Sequence, residues 1–388
     1  MIRNFKRTAA IAGIVAVSSA TLVACGDSND TETTTKSETA VETSKSTETV
    51  AATTEAAAGS YELSGNKGEL KGEGSSAQKN AVDYFAQQYA AKVNGASLAY
   101  TASGSGDGVK NFIANQAAFA GSDSPLKDEE IEPAKNRCGG NEAWHLPFVI
   151  GPVAIAYNLD GVDNLVVTPE LLAKIFRGEI TKWNDPAVAE VNKDAKLPDQ
   201  DIHVVYRSDS SGTSDNFQKF LAASTKGDWD ASSGKQFPGV VGEGADKSTG
   251  VANAVQTIPG SITYVELGNA QQNGLGIAQL DLGNGPVELN PDTVGKALDN
   301  LTFKTEGHNM VVDSTKLYEQ NAAGTYPLVL TTYEIVCSAG YDDQVRGQVK
   351  DFLNVSLDSQ DDTLAQLGYI PVKGKLAQQL REAIDAIA

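Results

Sequence analysis

The sequence predicts a mixed α/β fold, on three observations. Helical and strand-like periodicities alternate along most of the chain, the strand-like runs are apolar, and no internal repeat organises them.

The elements follow in order. Residues 74–93 place Val82, Phe85, Tyr89 and Val93 at helical spacing, and the strand-like ASLAYTASG comes next. VKNFIANQ then sets Val109, Phe112 and Ile113 on one helical face. AAFAGSDSPL reads as a short buried strand that runs into a turn, with Pro125 stopping it. WHLPFVIGPVAIAYN and DIHVVYR are strands, the second taking His203 inward as a packed residue, and VTPELLAKIFRGEI is the helix between them. LVLTTYEIVC is a late strand, and VKDFLNVSL and GKLAQQLREAIDAIA close the chain as amphipathic helices.

The N-terminal region reads differently. Arg3, Lys6 and Arg7 precede a short apolar run, Ala9 to Val17, that is too short to span a bilayer and reads as a signal peptide over residues 1–24. It ends in Leu22-Val23-Ala24-Cys25, which resembles a bacterial lipobox, so Cys25 is the expected acylated residue. Residues 25–60 are Thr, Ser, Glu and Ala, with seven acids against two lysines, and predict a solvated acidic tether. The expected location is the outer side of the cell membrane.

The formal charge of −19 argues against a nucleic-acid partner, because phosphodiester binding needs a basic surface. It leaves room for a small anion in a closed cleft. Using Cys25 for the lipid leaves Cys138 and Cys337, which in an exported protein are expected to pair. The three histidines are scattered, so no zinc site and no cofactor is expected.

Three segments share one layout, a Gly/Ser turn leading into an amphipathic helix: GEGSSAQ, SGSGDGVK and SDSSGTSDNF. One such turn is an ordinary N-cap. Three together, with a fourth polar turn at GSDSP, suit an anion, since helix starts carry unpaired N–H groups and partial positive charge. The only lysine in the quoted segments, Lys110, follows Val109 rather than a glycine, so the Gly-x-x-x-x-Gly-Lys nucleotide loop is absent from them. Arg207 supplies a guanidinium and Asp123 a carboxylate acceptor, which together suit an anion that still carries a proton. Phosphate fits this description; fully deprotonated sulfate does not.

GEGSSAQ, SGSGDGVKNFIANQAAFAGSDSPL, ELLAKIFRGEITKWNDP, RSDSSGTSDNF and PGSITYVE occur in the order found in the PstS family, which this sequence resembles over residues 68–388. The family consists of phosphate-binding components of the bacterial phosphate ABC importer. The resemblance implies a two-lobed periplasmic-binding-protein fold of type II, with a hinge between lobes at 61–156 plus 323–388 and at 157–322. It also implies a binding role without catalysis, as a monomer that delivers phosphate to permease subunits. The implied ligands are Ser76, the Ala77 amide, Ser105, Asp123, Arg207, Ser211, Gly212 and Thr213. Asp209 is implied as the partner that holds Arg207, which is then the site's only full positive charge. Ser76-Ala77 departs from the family's frequent Thr-Phe but keeps the hydroxyl and the amide. Three other readings compete: a receptor for another tetrahedral oxyanion, a surface lipoprotein with a sensory or adhesive role, and a serine-dependent phosphatase. The last lacks a Gly-x-Ser-x-Gly elbow in these loops.

Overall fold

The computed structural model describes residues 61–230 and 234–388. The signal peptide, Cys25 and the tether therefore lie outside the described residues. From residue 61 onward the chain forms a two-lobed α/β fold around one mixed nine-stranded sheet.

The first lobe's elements alternate: β1 (Gly68–Gly74), α1 (Lys79–Lys92), β2 (Ala96–Thr101), α2 (Ser105–Ile113), β3 (Phe119–Ser122) and α3 (Asp128–Arg137). β4 (Ala143–Asn158) carries the chain into β5 (Val166–Val167), α4 (Pro169–Arg177), α5 (Pro186–Val191), β6 (His203–Arg207), α6 (Gly212–Ser224), β7 (Glu243–Ala245) and α7 (Lys247–Thr257). Then come β8 (Ser261–Glu266), α8 (Leu267–Gln272), β9 (Gly276–Ile277), β10 (Gln279–Asp281), β11 (Pro286–Val287), α9 (Pro291–Leu298) and α10 (Ser314–Tyr318). β12 (Val329–Cys337) returns to lie between β3 and β4, followed by α11 (Asp343–Asp358), α12 (Asp362–Gln366) and α13 (Gly374–Asp385).

The main path of the sheet runs β2-β1-β3-β12-β4-β8-β6-β7. β4 joins its two halves. Residues Ala143 to Pro152 pair antiparallel with β12, and Val153 to Asn158 pair antiparallel with β8. Thirteen consecutive residues of β4, His145 to Tyr157, are buried, as a strand covered on both faces requires. Two prolines sit in it, and each falls where the ladder changes. Pro147 faces Tyr333 at a register shift, and Pro152 is the last residue paired with β12. A residue without an N–H cannot continue a ladder undisturbed.

Local sequence sets the helix ends. At α4, Thr168 caps Leu171 N–H at 3.2 Å, Pro169 opens the helix, and Gly178 closes it in the left-handed region at φ 75°. In α1, Val82, Phe85 and Tyr89 face the core as their spacing predicts. His203 departs from expectation: it lies in β6 but is exposed, because the strand's first residue stands at its edge. Cys138 at the end of α3 and Cys337 at the end of β12 are disulfide-bonded across a sequence separation of 199, as their pairing in the sequence anticipated.

Candidate functional site

β1, β2, β3, β6, β7 and β8 all end at one cluster of polar side chains. Loops beyond the carboxyl ends of strands are where α/β sheets bind ligands. Every residue singled out in the three Gly/Ser turns lies there, and all but the half-buried Asp209 are buried.

Asp123 follows β3 and is only 3% exposed. Ser75 donates to its Oδ2 at 2.8 Å, Ser105 to the same oxygen at 3.1 Å, and Thr332 to Oδ1 at 2.8 Å. An ionised carboxylate has about four acceptor positions, so three donors leave about one for a ligand proton. Burial pushes the Asp123 carboxyl up from its ordinary range; the Ser75 bond opposes this, and the nearby Glu266 carboxylate reinforces it.

Arg207 closes β6 and is 3% exposed. Its Nε and Nη2 bind Asp209 in a fork at 2.7 and 2.6 Å. The remaining nitrogen, Nη1, reaches Ser248 Oγ at 3.1 Å and Thr213 Oγ1 at 3.4 Å. Burial would make Arg207 easier to deprotonate, but Asp209 more than offsets it and the guanidinium is held above its usual range. Burial likewise opposes charge on Asp209, yet Arg207 and Lys247 hold its carboxyl low. Asp209 thus fixes the guanidinium and turns one edge of it toward the hydroxyls.

The third turn is the start of α6. Ser211 is the N-cap, and its Oγ accepts from Ser214 N–H at 3.1 Å, which leaves its own O–H to donate elsewhere. Gly212 lies so close to the opposite loop that a Cβ there would sit 2.6 Å from Asp123 Oδ2 and 2.6 Å from Ser105 Oγ. Only glycine allows that approach of helix backbone to carboxylate. Thr213 donates its hydroxyl to Glu266 at 2.6 Å, so its backbone N–H is the donor left for an anion.

Several bonds at this cluster join segments far apart in sequence. Ser76 Oγ lies 3.0 Å from Ser248 Oγ and accepts from Ser248 N–H at 3.1 Å. Asn216 donates to the Asp123 carbonyl at 2.6 Å, Ser124 to Asp215 at 2.5 Å, and Gly106 N–H to the Ser210 carbonyl at 3.1 Å. Ala77 N–H is held by Ser75 Oγ at 3.1 Å. The arrangement brings helix starts, hydroxyls, one fixed guanidinium and one carboxylate acceptor into a water-poor space.

Four participants escaped the sequence reading. Ser75 adjoins Ser76 in the same turn, and Glu266 ends the quoted PGSITYVE, so both carried a signal. Ser248 sits in the ordinary-looking KSTG, and Thr332 is one of two adjacent threonines in a strand. A buried lysine, Lys235, 6% exposed, also lies against the start of α6, where its carbonyl accepts from Ser211 N–H at 2.8 Å. Lys235 follows a glycine in a polar stretch and reads there as a solvated lysine.

Residues 51–360 match the PBP superfamily domain. The chain is 44% identical over 326 residues to the phosphate-binding protein PstS 3 of Mycobacterium tuberculosis, covering 84% of this chain and 88% of that protein. The chain belongs to the PstS family. The phosphate-binding protein PstS of Xylella fastidiosa is 30% identical over 320 residues, 80% of this chain and 84% of that protein. A solved phosphate-binding protein from Stenotrophomonas maltophilia shares the fold at a TM-score of 0.59 and 22% identity, over 81% of this chain and 93% of that one. Membership agrees with the order of quoted segments, and the likeness of fold agrees with a PstS chain built as two lobes.

Proposed function

We infer that this PstS chain binds inorganic phosphate between its lobes and hands it to a membrane ABC permease, without catalysis. The ligand set is the hydroxyl of Ser76, the Ala77 amide, Ser105, Asp123, Arg207, Ser211 and the amides of Gly212 and Thr213, with Asp209 in support.

One observation carries the reading: a buried carboxylate with about one acceptor position left stands beside helix starts and a guanidinium. A bare anion would be repelled there. An anion that brings its own proton binds both kinds of partner at once. The same feature disfavours sulfate as the ligand. The family relationship supports a solute-binding role over a hydrolytic one. His145 is not poised as a base. It is buried, its Nε2 accepts from Leu126 N–H at 3.0 Å, its ring Nδ1 lies 2.8 Å from Asn309, and burial lowers its pKa to about 4.

The lobes are 61–156 with 323–388, and 157–322, with β4 and the segment 323–328 that leads into β12 as the connections that flex. Delivery to a permease agrees with an exported protein, tethered as a monomer to the outer side of the membrane through an acylated Cys25. No helix among the described residues is long and apolar enough to cross a membrane.

Calorimetric titration with phosphate, sulfate and a phosphomonoester tests the reading. Phosphate should saturate one site per chain, sulfate should give no heat at equal ionic strength, and the monoester should show no turnover. Turnover, or preference for sulfate, would overturn it. Cys25→Ser should move the protein from membranes to the medium, and retention in salt-washed membranes would refute the anchor.

A further inference from the structure

We propose that Lys235 is a second cation of the anion site, acting on a bound dianion through its electric field rather than through a place in the Arg207 hydrogen-bond shell. The proposal rests on the phosphate reading above.

Lys235 is held against the start of α6, where the ligand amides are. Its carbonyl accepts from Ser211 N–H at 2.8 Å, and Gln218 fastens the flanking carbonyls of Gly234 at 2.9 Å and Gln236 at 3.3 Å. The side chain is buried, and its Nζ has no hydrogen-bond partner. An ammonium removed from water without a partner is strongly disfavoured, so a place that keeps one calls for compensating negative charge.

The surrounding groups are mixed. Glu130 from α3, Lys127 just before it, Asp215 from α6 and Asp123 after β3 act on Lys235, and Lys235 in turn acts on His145 of β4. Burial lowers the Lys235 pKa; Glu130, Asp215 and Asp123 oppose this, and Lys127 adds to it. Asp215 is already claimed by Ser124 and Lys219, the latter at 2.6 Å. Glu130 caps the N–H of Lys127 at 2.9 Å.

The charges of the site itself explain the need. Arg207 is cancelled by Asp209, and Lys247 is shared between Asp209 at 3.3 Å and Asp246 at 3.0 Å on a partly exposed edge. Asp123 and Glu266 remain as buried carboxylates before any anion arrives. A phosphate dianion would enter a cleft of net negative charge unless Lys235 contributes. Coulomb attraction scales with ligand charge, so the benefit in free energy for a dianion is about twice that for a monoanion.

The test compares phosphate binding by wild type, Lys235→Met and Lys235→Arg at pH 8.5 and pH 5.5, where phosphate is mainly dibasic and mainly monobasic. Lys235→Met should weaken binding about tenfold or more at the higher pH and about threefold at the lower, the second being near the square root of the first. Lys235→Arg should restore most of the loss. Equal losses at both pH values would show a merely structural role and overturn the proposal, as would no loss. Should Lys235→Met fail to fold, carbon-13 lysine NMR of the wild type decides: the Lys235 pKa should rise when phosphate is added, and an unchanged value would overturn the proposal. Absence of phosphate binding by wild type at both pH values would refute the phosphate reading instead.

Discussion

Replacing Asp123 by Asn should transfer much of the site's selectivity from phosphate toward sulfate. The change keeps shape and removes charge. Ser75 and Ser105 both face Oδ2, so the amide oxygen can stay there and keep both bonds. The amide nitrogen then takes the place of Oδ1, and the Thr332 hydroxyl turns to accept from it. Burial already disfavours charge at Asp123, so the neutral variant should fold with undiminished stability at neutral pH. For sulfate the gain is large. Two unit charges about 4 Å apart at an effective dielectric constant of about 20 repel by about 4 kcal/mol, a factor of about 10³. The phosphate-over-sulfate preference should therefore fall by about that factor, measured by competition calorimetry at fixed ionic strength. The wild type should show the same trend with pH. As pH falls through the raised Asp123 pKa, the carboxyl gains an O–H that can donate, so sulfate affinity rises; the Asn variant should show no such slope. Undiminished sulfate rejection by Asp123→Asn would refute proton sharing as the source of specificity.

Arg207→Lys keeps charge but loses the fork on Asp209, and should weaken phosphate binding by about 10²-fold or more; near-normal calorimetric affinity would misplace the site. Arg207→Ala should in addition destabilise the fold by about 3–5 kcal/mol, read by denaturant unfolding, because Asp209 is left buried with only Lys247. Burial pushes the Glu334 carboxyl up to about 8, and its Oε2 has no hydrogen-bond partner. Since the folded pKa exceeds the unfolded one, Glu334 costs stability increasingly as pH rises from about 4.5 to about 8. Glu334→Gln should accordingly stabilise by about 3 kcal/mol at pH 7 and by little at pH 4, and equal destabilisation at both would contradict this. Replacing Cys138 and Cys337 by Ser should cost about 2–5 kcal/mol in denaturant unfolding while leaving phosphate affinity unchanged; equal stability of the oxidised and reduced wild type would count against it.

Local features were legible and non-local ones were not. Helix starts advertise themselves over a few residues, which is why the turns holding Ser76, Ser105 and Ser211 stood out before any contact was known, and the family resemblance singled out these residues within them. α4 was readable for the same reason, with Thr168, Pro169 and Gly178 in sequence at its ends. Ser248 was not, since its meaning lies in Ser76, 172 residues away. Thr332 is one of several buried polar residues in β12, and only the pairing of β12 with β3 carries it to Asp123. Strands of two or three residues such as β5, β9 and β11 exist only through their partners. Lys235 shows the limit most plainly: side chains of this type are rarely buried, and nothing in the polar stretch around it distinguishes it. His203 failed in the opposite sense, because period alone does not say whether the first residue of a strand is covered.

A crystal structure of the protein with phosphate tests the central claim most directly. The account predicts one phosphate at the start of α6, one oxygen about 2.5–2.7 Å from an Asp123 carboxylate oxygen as a charge-assisted O–H···O bond, and others met by Arg207 Nη1 and the Gly212 and Thr213 amides. A phosphate bound out of contact with Asp123, or outside the space between the lobes, would contradict it.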